Sequence, residues 1–200
     1  VTFVVLYASF GGRFVAGMER SIGAVLLADA VRLENTGDYD NAVQTYRLAL
    51  ESRFRHQQTR TETLRRLGAL VGWREGYREA LPYLEEAFRN GDYSIWLYEP
   101  YGNALLAAAR DDEAFALVEE WLARANKEDR IDQQALARSL EGRCYLKRGE
   151  KQRALDAFLA GDALQPGGIN AYQAGVLTYE LGDANRALQL LDLFLRGLRP

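Results

Sequence analysis

Five times along this chain a small residue precedes an alanine by twelve positions: Ala30 and Ala42, Gly68 and Ala80, Gly102 and Ala114, Gly142 and Ala154, Gly175 and Ala187. The alanines follow one another at intervals of 38, 34, 40 and 33 residues. Self-similarity at such a period marks a stacked array, in which each unit buries its apolar face only against its neighbours. Twelve residues with a turn between them bring two antiparallel helices together. A Gly or Ala at the crossing lets the backbones approach, and neighbouring Leu, Tyr and Phe fill the remaining space. A large side chain at Ala154 or Gly142 overpacks that crossing, at about 1–3 kcal/mol.

The turns carry matching chemistry. Gly37, Gly149 and Gly182 stand where a helix ends in a left-handed residue, a conformation that glycine adopts without penalty. Asp38 and Asp183 follow two of them and suit a helix N-terminus, where backbone N–H groups are unpaired. The first unit reads Ala30, Gly37-Asp38-Tyr39, Ala42, Tyr46, Ala49, and the fourth reads Gly142, Tyr145, Gly149, Ala154, Phe158, closing at Pro166. The second and fifth units have Leu84 and Leu191 at the aromatic position. The third lacks the turn glycine and has Val118 and Trp121 in place of an aromatic and an alanine. It also puts Pro100 inside its first helix, which predicts a short or kinked element there. Two polar connectors, Arg55–Arg60 and Ala125–Arg130, fall where the interval exceeds 34 residues, and lengthen helices or loops without disturbing the stack.

These residues resemble the tetratricopeptide (TPR) family over about residues 22–200. The resemblance implies an all-α, right-handed superhelical solenoid of about five TPR-like helix–turn–helix repeats, preceded by an apolar N-terminal helix. The units are expected at about 22–55, 60–93, 94–127, 134–167 and 168–200.

Composition supports helix and excludes several functions. Apolar/polar alternation is absent, and β-branched residues cluster only in Val1–Val5. A net charge of −3, with Arg65/Arg66 and Arg143/Lys147 as isolated pairs, makes no basic stripe for nucleic acid. Cys144 is the only cysteine, which leaves no internal disulfide or thiol cluster and reads as a small packed residue. His56 is the only histidine and sits in a polar connector, so two-histidine catalysis and His-rich metal sites are ruled out. Gly11-Gly12 has neither the strand nor the spacing of a phosphate loop. The adjacent acids Asp111-Asp112 and Glu119-Glu120 read as solvated helix ends and faces. The expectation is a chain with no active site and no cofactor.

The N-terminal segment, 1–21, opens on Val1 to Phe10 without a charge and continues through Gly11-Gly12-Arg13. Three readings compete: the trailing half of a transmembrane helix, the cut end of a signal peptide, or a helix packed over the first repeat. A spanning helix needs about 20 apolar residues, twice this run. The anchor is preferred, with Phe3, Val5, Leu6, Tyr7 and Phe10 as membrane or partner contacts, and Tyr7, Phe10 and Arg13 at the interface. Phe14, Val15, Met18, Ile22, Val25, Leu26, Ala30 and Leu33 extend a helical stripe into the first unit.

In the TPR family the first helix of each pair lines a concave surface that holds protein partners. Counting from the small residues, the inward set here includes Arg65, Ala69, Glu99, Asn103, Ser139, Arg143, Tyr172, Val176 and Tyr179. Arg65, Glu99, Asn103, Arg143, Tyr172 and Tyr179 are the candidate binding residues. They do not reproduce the Lys/Asn/Arg set with which chaperone-binding members grip a carboxylate. At the other end no polar capping helix follows the last unit, which makes Leu193, Phe194 and Leu198 a candidate interface.

The reading is a protein–protein interaction scaffold or assembly subunit, membrane-associated through its N-terminus, with subunits of a membrane complex as partners. The alternatives are a soluble peptide-binding adaptor or co-chaperone-like module, cytoplasmic or periplasmic, and the regulatory repeat region of a larger enzyme.

Overall fold

The computed structural model describes residues 22–198. The segment 1–21, with Phe3, Val5, Leu6, Tyr7 and Phe10, lies outside the described residues. Among the described residues the chain is helical throughout and has no strand. Helix α1 covers 22–35. It is followed by α2 (Tyr39–Glu51), α3 (Gln57–Arg74), α4 (Tyr77–Arg89), α5 (Ile95–Ala107) and α6 (Asp111–Lys127). The last four are α7 (Ile131–Lys147), α8 (Lys151–Leu164), α9 (Ile169–Glu180) and α10 (Ala184–Gly197). The chain divides into two compact units, Val1–Pro100 and Tyr101–Pro200, with the division inside α5.

The small residues sit at the crossings, as their spacing requires. Ala30, Ala42, Ala80, Ala114, Ala154 and Ala187 are buried, and so are Gly68, Gly102, Gly142 and Gly175. A Cβ built on Gly68 would lie 2.6 Å from the Leu84 side chain, and one on Gly175 would lie 2.8 Å from Leu191. On Gly142 it would run into the Phe158 ring. Those three partners each stand sixteen residues on, at the aromatic position of the motif. The third unit departs from this: Gly102 instead faces Leu140 on α7, and Trp121 is buried where α2 and α4 carry Ala49 and Ala87.

The turns share one geometry. Gly37 (φ 80°), Gly149 (φ 77°) and Gly182 (φ 96°) are left-handed, as the sequence predicts. The N–H of the following residue bonds back to the helix, as with Asp38 N to Leu33 O at 2.9 Å. In the third unit Ala109 adopts the same conformation (φ 58°), and Arg110 N bonds to Leu105 O at 2.9 Å. The turn therefore survives the loss of its glycine at the expense of a strained alanine. Asp183 caps α10 by accepting from Arg186 N. Asp38 does not cap α2; it accepts from the Asn41 amide at 2.8 Å.

The helix that carries Pro100 is short, as the sequence predicts: α5 runs through the proline and has 13 residues, against 18 in α3 and 17 in α7. The polar connectors lengthen helices, one of the two outcomes the sequence allows. Gln57–Arg60 form the first turn of α3, and Ala125–Lys127 the last turn of α6. Arg60 holds its extra turn in place, donating to Leu50 O at 3.1 Å and pairing with Glu86 at 3.0 Å. His56 is the exposed residue just before α3. No helix among the described residues is long and apolar enough to cross a membrane.

Candidate partner-binding faces

In the first unit the first-helix side chains form a charged network. Tyr46 on α2 is fully buried and donates to Glu34 Oε2 on α1 at 2.5 Å. Arg66 on α3 reaches the same oxygen at 3.4 Å and also donates to Glu62 at 2.9 Å. Burial, reinforced by the Glu34 carboxylate, pushes the Tyr46 phenol far above its ordinary range. One position earlier on α3, Arg65 pairs with Asp92 at 3.1 Å, and the two side chains are only 17% and 10% exposed. Glu34, Arg65, Arg66 and Ala69 line a cavity of about 450 Å³ with Trp96 from the first turn of α5. Trp96 is exposed and was not among the residues singled out from sequence. It stands six positions before Gly102, as Glu62 does before Gly68, a turn further from the crossing than the positions counted inward.

The second unit presents a different surface. The first helices α7 and α9 pack against each other as well as against α8. Ile169, Tyr172, Val176 and Tyr179 recur along α9 at helical spacing, all exposed, and Leu146 on α7 is exposed too. Tyr172 also touches the Phe194 ring on α10, with centroids 5.3 Å apart. The structure thus joins a candidate groove residue to a candidate C-terminal one. Ser139, counted inward, is instead buried and donates to Gln173 at 2.7 Å. Asn103 and Arg143 are half-buried on α5 and α7, and Glu99 is half-buried in the first unit. Leu193 and Leu198 are exposed at the end of α10, beside Leu188 and Leu195.

Among the described residues little else offers chemistry. Burial pushes the Cys144 thiol up to about 12, so it stays protonated in the core. Asp112 pairs with Arg148 at 2.5 Å, and Glu120 with Arg124 at 3.4 Å. Among the described residues no three His, Cys, Asp or Glu side chains are placed to hold a metal ion.

A ladder of helix pairs crossing at small residues, with glycine-type turns and side chains displayed from the first helices, defines a helical-repeat protein. No protein family matches the sequence, and no curated protein matches it. Solved structures do match the fold. MamA from Desulfovibrio magneticus RS-1 superposes with a TM-score of 0.67 over 91% of this chain and 99% of its own, at 17% identity. YrrB, described as a TPR protein with an unusual peptide-binding site, gives 0.59 over 92% and 89%, at 24% identity. PilF of Pseudomonas aeruginosa gives 0.65 over 90% and 78%, at 16% identity. The chain has the tetratricopeptide-repeat fold.

Proposed function

We propose that this protein is an interaction scaffold that assembles other proteins on its first-helix faces and carries out no reaction itself. The observation that carries the reading is the α9 stripe. Ile169, Tyr172, Val176 and Tyr179 hold an apolar, aromatic surface in water, with Tyr179 68% exposed. Exposed aromatics of this kind are the residues that dominate binding energy at interfaces. The wider binding set is Glu99, Asn103, Arg143, Tyr172 and Tyr179, with Arg65 held by Asp92 as a brace of the first compact unit. The shared fold supports the same class of function, since YrrB is described as having a peptide-binding site.

The finer reading is an assembly subunit held at a membrane by the segment 1–21. Its support is the sequence alone, in the uncharged run from Val1 to Phe10. The test is gentle-detergent purification of the full-length protein from its native membranes, with and without Tyr179→Glu, and mass spectrometry of what accompanies it. Stoichiometric membrane subunits that the substitution releases are the expected result. Recovery in the soluble fraction overturns the tether. Partners that ignore Tyr179→Glu overturn the α9 face.

A further inference from the structure

In the first compact unit, Trp96 holds most of its ring in water, at 67% exposed. It forms one wall of the cavity of about 450 Å³ whose other walls are Glu34, Arg65, Arg66 and Ala69. Elsewhere among the described residues, rings at the surface carry an arginine. Arg74 Cζ lies 5.5 Å from the centre of the Trp73 ring, and the same guanidinium pairs with Asp40 at 2.7 Å. Arg148 lies 4.0 Å over Phe115 and pairs with Asp112 at 2.5 Å. Arg153 lies 5.8 Å over Tyr145 and pairs with Glu150 at 2.6 Å. In each case the negative face of the ring attracts the cation, while a carboxylate holds the guanidinium edge. Trp96 has a ring and neighbouring acids, and no described guanidinium lies over it.

The charge balance around this ring favours a cation. Glu34 and Glu62 are paired with Arg66, and Asp92 with Arg65. Three carboxylates thus meet two guanidiniums, which leaves one negative charge over. Asp92 is sheltered at 10% exposed, whereas the Glu34 and Glu62 side chains are 31% and 43% exposed. An anion entering the cavity would meet arginines already held by acids, and repulsion from the two exposed glutamates.

We propose that this cavity seats an arginine side chain of a partner protein, its guanidinium stacked on Trp96 and its edge turned to Glu34 and Glu62. The proposal rests on the interaction-scaffold reading and gives the partner a chemical mark, a basic residue in the segment that docks on the first unit. The incoming guanidinium breaks no existing pair and gains only the ring face and the odd charge. It therefore selects and registers a partner more than it tightens binding.

The probe is the peptide acetyl-Ser-Gly-Arg-Gly-Ser-amide, titrated into the full-length protein while the Trp96 indole N–H is followed by NMR. Trp96→Phe assigns that signal among the three tryptophans. The expected result is a saturable shift of the Trp96 signal. Binding should be about tenfold weaker when citrulline, which keeps the shape and loses the charge, replaces the arginine, and about tenfold weaker in Trp96→Ala. Glu62→Gln should weaken it about threefold. Trp96 is exposed, so Trp96→Ala should keep its helical content by circular dichroism, and the citrulline comparison needs no variant at all. An unmoved Trp96 signal overturns the proposal, as do equal binding of the citrulline peptide and binding that survives Trp96→Ala. Tighter binding of the peptide with glutamate in place of arginine makes the cavity an anion site and overturns it too. A Trp96 signal that moves without peptide in Arg13→Ala or Arg20→Ala means that the chain fills the cavity itself, and overturns it equally. If the peptide fails while Tyr179→Glu still releases partners, the scaffold reading stands and the arginine site alone falls.

Discussion

The first-helix faces of the two units meet water in opposite ways. In the first unit, Glu34, Glu62, Arg65, Arg66 and Asp92 are charged and already bonded to one another. In the second, Ile169, Tyr172, Val176 and Tyr179 are apolar or aromatic and largely exposed. The difference separates stability from binding. A ligand on the first face must compete with ion pairs that hold helices together, and gains only the surplus. A ligand on the second removes apolar surface from water and breaks no bond, at about 25 cal/mol per Å² covered. On the function proposed above, the charged face chiefly locks α1, α2 and α3, and the apolar face receives a partner.

The largest expected effect tests the locking half. Arg65→Ala leaves Asp92, 10% exposed, without its cation. Removing one member of a buried pair costs about 3–5 kcal/mol; with part of both side chains in water, about 2–3 kcal/mol is expected here. Urea unfolding measures it, and a loss below about 0.5 kcal/mol, ordinary for a surface substitution, would show the pair to be decorative. Next comes Tyr46→Phe, which removes a buried phenol bonded to a carboxylate and should cost about 1.5–3 kcal/mol. A pH series sharpens this. The folded phenol titrates far above its ordinary value, whereas in the unfolded chain it ionises near pH 10. Its contribution is thus complete below about pH 10 and is lost as pH rises beyond it. Wild type should lose more stability in alkali than Tyr46→Phe, and parallel curves would refute the linkage.

The turn of the third unit gives a smaller, opposite effect. Ala109 holds φ at 58° where Gly37 and Gly149 stand in other turns. Ala109→Gly relieves a left-handed alanine, worth about 1–2 kcal/mol, against roughly 0.5–1 kcal/mol of added chain entropy. A net stabilisation of about 0.5–1 kcal/mol is expected in thermal or urea unfolding. Any destabilisation would mean that the alanine methyl group makes a contact worth more than the strain.

What the sequence made legible follows from which interactions are local. Helix crossings depend on residue size at a fixed spacing, so Gly68, Gly142 and Gly175 declared themselves, as did the glycine turns. Ala109 did not, because a left-handed alanine leaves no compositional mark. Whether Gln57–Arg60 and Ala125–Lys127 extend a helix or a loop was left open for a related reason: polar residues fit either until a tertiary bond, such as Arg60 to Glu86, fixes them. Among the candidate site residues, Tyr172 and Tyr179 were placed at the surface by periodicity, which reports direction. Arg65 was assigned to binding because its pairing with Asp92, 27 positions on in the chain, is a long-range fact.

The smallest expected change in stability is the one that most sharpens the contrast between the faces. Tyr179 is 68% exposed, so Tyr179→Ser exchanges one solvated side chain for another and should move the unfolding free energy by no more than about 0.5 kcal/mol. If the α9 face receives a partner, the same substitution removes a large rigid anchor from the contact and should weaken binding by about 2 kcal/mol, or roughly thirtyfold. Titration calorimetry against the partner recovered from native membranes, with Arg65→Ala as the reverse case, measures both halves. Arg65→Ala is expected to lower stability sharply while leaving affinity near wild type wherever the protein remains folded. Should the two variants instead exchange roles, the charged face would be the receptor and the apolar one the brace.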